Sequence, residues 1–150
     1  MLVVNDVKWS ETLSFRLGAL GALVADQYAK ALAVHDLKPK HVGLLGVLDS
    51  GLAASQLEIA QLLRVAPSLV VSLADRLESM GAIERLRAPA DRRRQILSLT
   101  DKGRDLLAEC TAKALALDAK LAADLTSSEQ TALSAALGRL AVSYGLPVRE

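Results

Sequence analysis

The chain has 150 residues and a formal charge of +1, a length that fits one domain, or one protomer of an intertwined pair, and leaves no room for several full-sized domains. One cysteine, Cys110, excludes an internal disulfide framework and a multi-cysteine zinc cluster, and four aromatic residues, none between positions 29 and 143, argue against base-stacking single-strand modules. No apolar run reaches the roughly 18 residues of a membrane span and the N-terminus lacks a basic-then-apolar leader, so a soluble, cytoplasmic chain without membrane contact is expected.

From Ser10 to about Ala33, Leu13, Leu17, Leu20, Val24, Tyr28 and Ala31 recur at steps of three and four, the period of one helical face. Pro39 opens a second, largely buried helix through Val42, Leu44, Leu45, Val47 and Leu48 that breaks at Ser50-Gly51. Gly43 and Gly46 inside it each cost about 1 kcal/mol relative to alanine, which calls for close packing or local softness. Ser55 and Glu58 form a capping box for a short helix to about Leu63 that buries Leu57, Ile59, Ala60 and Leu63. Pro67 and Ser68 open the next helix, with Val70, Leu73 and Leu77 as its inner stripe and Gly81 as its stop. Two short helices so closely spaced predict a helix-turn-helix.

The period then changes from three-to-four to two. "AIERLR" and "QILSLT" alternate as short strands, and "APADRRR" between them makes a hairpin tip that projects arginine. Thr100 caps a long helix to about Leu125 with a seam of Leu107, Cys110, Ala114, Leu117 and Leu121. Thr126 and Glu129 cap a last helix carrying Leu133, Ala136, Leu137, Leu140 and Tyr144 on one face. The predicted fold is mainly α with a small β-hairpin wing. A winged helix-turn-helix lobe over residues 37–100 lies between an N-terminal dimerisation region, 1–36, and C-terminal dimerisation helices, 101–150. Apolar stripes at both ends with little between to bury them predict an obligate homodimer.

Charge is uneven along this plan. Residues 55–104 hold nine bases and six acids, whereas residues 105–150 hold four and six, and five arginines crowd into residues 84–94. A local basic patch binds phosphates whatever the net charge of the chain. In a winged helix-turn-helix the second helix enters the major groove, and the wing reaches the adjacent minor groove, whose narrow A·T stretches attract arginine.

The stretch from Leu63 to Leu107 resembles the core of the MarR family of bacterial transcriptional regulators. The matching residues are Asp75-Arg76-Leu77-Glu78 with Gly81, Ile83 with Arg85, Asp91 with Arg93, and Leu99-Thr100 with Gly103. The resemblance implies a symmetric homodimer on a pseudo-palindromic double-stranded DNA operator, usually a repressor released by a small aromatic or phenolic effector. It implies that Arg93 enters the minor groove and that Asp91 holds that arginine's orientation. Arg92 and Arg94 are read as phosphate contacts, and Arg87 as a further DNA contact. On the second helix, Ser68, Val71, Ser72 and Arg76 lie off the inner stripe and are read as facing the groove. For Asp75 and Arg76 a second reading stays open, that they pair with neighbours and hold the fold. The family usually places Thr or Arg where Val71 and Ser72 stand, which implies weaker base readout and more reliance on the wing and on DNA shape.

Other residues carry less. Cys110 at a seam position reads as a small core residue rather than a redox switch. His35 and His41 bracket Pro39, outside any paired-ligand spacing, so neither a metal nor another cofactor is expected. Trp9, Phe15, Arg16 and His41 are candidate walls of an effector pocket, with Arg16 as a partner for a carboxylate. No motif of hydrolases, nucleotide-phosphate loops or metalloproteases occurs, so the chain is not expected to be an enzyme. The alternative reading of the fold is a winged-helix protein-interaction or architectural module without effector response.

Overall fold

Thr12, rather than Ser10, opens the first long helix. In the computed structural model, which describes residues 7–148, the Thr12 hydroxyl accepts a hydrogen bond from the Phe15 N–H at 3.2 Å, and α1 spans Leu13–Leu32. Trp9–Glu11 form a separate 3-10 turn, because Thr12 has extended backbone that interrupts the ladder and its hydroxyl donates to the Trp9 carbonyl. Residues 1–6 and 149–150 of the expected end segments, and with them the start of the N-terminus read above as leaderless, lie outside the described residues.

The elements that follow are α2 (Pro39–Ser50), α3 (Gln56–Leu63), α4 (Pro67–Ser79), β1 (Ile83–Arg87), β2 (Gln95–Leu99), α5 (Asp101–Leu121) and α6 (Ser127–Ser143). The chain is mainly helical with one antiparallel hairpin, paired Ile83 to Leu99 and Arg87 to Gln95. Both predicted capping boxes form: Ser55 accepts from the Glu58 N–H at 3.2 Å and Thr126 from the Glu129 N–H at 3.3 Å. The α5 helix stops at Leu121, four residues before the expected end. The Gln130 side-chain amide donates to the carbonyls of Ala122 and Leu125, at 3.1 and 3.0 Å, and so satisfies groups that leave the ladder there.

One core joins these elements. Leu32, Leu44, Leu45, Ile59, Val70, Leu77, Ile83 and Cys110 are its largest fully buried side chains. The Tyr28 hydroxyl donates to the Cys110 carbonyl at 2.9 Å and ties α1 to α5. The Leu97 N–H donates to the Ala54 carbonyl at 2.8 Å, which fastens the hairpin to the segment leading into α3. Leu57 departs from expectation: it is 59% exposed. Two residues of helix turn a side chain through roughly 200°, so with Ile59 facing inward Leu57 faces out. The two α2 glycines are not explained by close packing either, since a Cβ at Gly43 would make only an ordinary contact with Leu63 and one at Gly46 would meet nothing.

The end helices expose what the lobe buries. Leu13, Leu17, Leu20 and Leu23 of α1 are exposed, and α6, despite its stripe of Leu133, Leu137 and Leu140, has no buried residue. Among the described residues no single helix is long and apolar enough to cross a membrane.

Candidate nucleic-acid interface

The turn Arg64–Ala66 bends the chain by 112° between α3 and α4, giving the two-helix arrangement expected of a helix-turn-helix. Pro67 starts α4, Val70, Leu73, Ala74 and Leu77 anchor it in the core, and Gly81 ends it with φ +74°. That anchoring decides what the helix presents. Ser68, Val71, Ser72 and Asp75 are exposed, in a run that offers two hydroxyls and one branched apolar side chain.

The charged residues of α4 turn toward the protein. The Arg85 guanidinium, on β1, donates to Asp75 at 2.6 Å and also to Glu78. Burial opposes its charge, but the hydrogen bonds and charges of the two carboxylates outweigh burial and push its pKa further up. This ion triad locks the outer edge of α4 to the root of the hairpin. Arg76 pairs at 2.8 Å with Asp36, which sits in the left-handed region at the α1–α2 junction. Its Nε is buried without a partner among the described residues. Of the two readings left open for Asp75 and Arg76, pairing with neighbours is the geometry observed.

At the wing, Asp91 shapes the turn. Its carboxylate accepts from the Arg93 backbone N–H at 3.0 Å, while its carbonyl accepts from the Arg94 N–H at 3.0 Å. It therefore holds the main chain at Arg93 rather than the guanidinium. Arg87 donates to the Arg92 carbonyl at 2.7 Å, bracing the loop from inside. Arg94 reaches Glu58 of α3 at 3.3 Å. The backbone N–H groups of Ala54 and Ser55 hold the Glu58 carboxyl below the usual carboxylate range, and the charge of Arg94 adds to the effect. Arg92 and Arg93 are exposed and make no ion pair among the described residues. Of the five arginines in the hairpin, Arg85 and Arg94 are ion-paired and Arg87 is bonded to backbone, which leaves these two side chains free at the tip among the described residues.

The pocket candidates are not brought together. Trp9 and Phe15 pack ring on ring at 4.1 Å, and Arg16 donates to the Ser10 carbonyl at 3.3 Å, all at the N-terminal end of α1. His41 lies beyond the other end, buried in α2, with Nδ1 accepting from the Lys38 N–H at 2.9 Å. Burial pushes its pKa down, and the nearby Arg76 charge acts in the same direction. Cys110 is fully buried, and burial raises its pKa, which keeps it a thiol. The pairs Asp36–Arg76 and Glu58–Arg94 escaped the sequence reading, since residues so far apart give no local signal of contact.

Fold and site together define a winged helix-turn-helix DNA-binding protein. A family model described as MarR family matches residues 35–94. The HTH-type transcriptional repressor MdtR of Bacillus subtilis is 31% identical over 117 residues, 78% of this chain and 76% of that one. A transcriptional repressor named CouR has been solved on a 23-mer DNA duplex. That structure is 32% identical with a TM-score of 0.73, covering 91% of this chain and 99% of the other. A MarR-family regulator from Rhodococcus sp. RHA1 has a TM-score of 0.80 at 23% identity, over 95% of this chain and all of that one. The chain belongs to the MarR family of winged-helix transcriptional regulators.

Proposed function

We infer that the protein is a cytoplasmic homodimeric repressor that grips a pseudo-palindromic operator and is released by a small-molecule effector. In this reading residues 37–100 form the DNA-binding lobe and the flanking segments form the dimer. Ser68, Val71 and Ser72 meet the major groove, Arg93 enters the minor groove, and Arg92 contacts phosphate. Arg94 adds a weaker phosphate contact, because it must first leave Glu58. Arg76 and Arg87 serve DNA binding by holding α4 and the wing in place.

The observation that carries this reading is the uncompensated Arg92–Arg93 tip, held out by Asp91 while the arginines around it are paired or bonded inward. Charge left unpaired on a shaped projection fits a polyanion. The exposed leucines of α1 and α6 support the dimer, since bare stripes of this size mark protein contacts. Two repressors named CouR support the two partners separately, one solved on duplex DNA and the one from Rhodococcus jostii RHA1 solved with p-coumaroyl-CoA.

Light scattering of the purified protein and fluorescence anisotropy with a duplex selected by it from a randomised library test the reading together. A dimer mass and a steep loss of binding with added salt are expected. A monomer, or no duplex binding even at low salt, would overturn it and favour an interaction module.

A further inference from the structure

Arg64 closes α3 with φ +54°, in the left-handed region. A helix end of this kind favours glycine or asparagine. Asp36, the other non-glycine residue with positive φ among those described, is of a type that tolerates it. Arginine is not, so its side chain has to recover what the backbone loses.

That side chain leaves its own helix altogether. Nη2 donates to the Tyr144 carbonyl at 2.5 Å, across 80 residues of sequence. Tyr144 is the C-cap of α6, where carbonyls lack helical partners and partial negative charge collects. A guanidinium satisfies both needs.

The segment after Tyr144 lies over the same lobe. Gly145 turns the chain with φ +66°, and the Leu146 N–H returns to the Ala141 carbonyl at 2.9 Å. Gly145 then borders a cleft with Leu62 and Arg64, and Pro147 borders another with Gly46 and Leu63. Since α6 has no buried residue along its length, its two ends fasten it to its own chain, Gln130 to the end of α5 and the foot to the lobe.

We propose that Arg64 is a positioning residue, a brace tying the C-terminal helix of the dimer arm to the turn between α3 and α4. It thereby fixes the angle at which each lobe presents its recognition helix. The proposal rests on the dimeric DNA-binding reading above and adds the link that sets lobe geometry. Half-sites about 34–36 Å apart must be met by two lobes at once, and a lobe held in place loses less freedom on binding.

Arg64→Gly removes the side chain while giving the left-handed position a residue it favours, so the fold is kept. The probes are the duplex that the wild-type protein selects and the same duplex with two base pairs inserted between its half-sites. Expected are about tenfold weaker binding to the selected duplex, reduced discrimination against the inserted one, an unchanged salt slope and an unchanged dimer mass. A second variant, Leu146→Ser with Pro147→Ser, unseats the same segment. It should reproduce the loss, and combining it with Arg64→Gly should add nothing. Wild-type affinity and discrimination in Arg64→Gly would overturn the brace. So would a loss that lowers the salt slope by about one and adds to that of the second variant, since this marks a phosphate contact. Failure of the wild-type protein to select any duplex would instead sink the DNA-binding reading itself.

Discussion

Gly103 of α5 lies against the carbonyl of Ala82 with no room between them for a methyl group; a Cβ there would collide with that oxygen and press on Leu99. The approach is fixed by Thr100, whose hydroxyl accepts from the Gly103 N–H at 3.0 Å and shares its one proton between the Gly81 and Ala82 carbonyls at 2.6 and 3.0 Å. One threonine thus starts α5, bonds the turn between α4 and β1 and seats the two against each other. Gly103→Ala forces backbone apart where no flexible side chain can yield. It should cost about 3 kcal/mol, the upper end for overpacking, read as a lower urea midpoint at fixed protein concentration. A midpoint within error of wild type would show that the α5 start has slack.

Gly46 presents the reverse case. It sits within α2, and a Cβ built there meets no atom. Gly46→Ala should therefore stabilise the protein by roughly 0.5–1 kcal/mol, through reduced freedom of the unfolded chain and better helix propensity. Thermal unfolding of the two proteins at equal concentration checks this. A destabilised variant would mean that another surface closes over Gly46 in the assembled protein.

His41 makes stability depend on pH in a defined direction. Its pKa in the folded chain lies below the ordinary imidazole value of about 6.5, chiefly because it is buried. In the window beneath that value the unfolded chain binds a proton that the folded chain refuses, so the contribution is intact above it and is lost as pH falls through it. His41→Gln keeps an acceptor for the Lys38 N–H, as the third residue of a capping box can. Between about pH 7 and about pH 5 the wild type should lose more urea stability than this variant. Parallel profiles would remove His41 as the cause.

What the sequence made legible was local. Capping boxes at Ser55 and Thr126, the stop at Gly81 and the alternation of β1 and β2 are patterns written within a few residues, and each formed as read. The motif residues Asp75, Glu78 and Arg85 were legible as a set, though their closure into one ion triad needed the packing of α4 on β1. Asp36 with Arg76, Glu58 with Arg94 and Arg64 with Tyr144 were not legible, because 36 to 80 residues separate the partners. Their meeting depends on how helices cross, which periodicity does not encode. Within one protomer the pocket candidates lie apart for the same reason: Phe15 is in the first turn of α1 and His41 lies beyond its far end, with a 20-residue helix, about 30 Å long at 1.5 Å per residue, between them.

The wing arginines should not behave alike. Arg93 is exposed at the tip with its main chain held by Asp91, and Arg94 already shares its charge with Glu58. Arg93→Ala should lower affinity for the selected duplex by about tenfold to a hundredfold, the range for one direct groove contact, and leave the dimer mass and melting unchanged. Arg94→Ala should lower it less, because the free protein loses a surface ion pair along with whatever the DNA complex loses. Glu58→Gln should then tighten binding at low salt, since it releases Arg94 and removes a negative charge facing the polyanion. Anisotropy titrations of the three variants at two salt concentrations separate these effects. Equal losses for Arg93→Ala and Arg94→Ala, with no gain in Glu58→Gln, would show that the Glu58 pair opens freely on DNA and that the tip acts as one undivided cluster of charge.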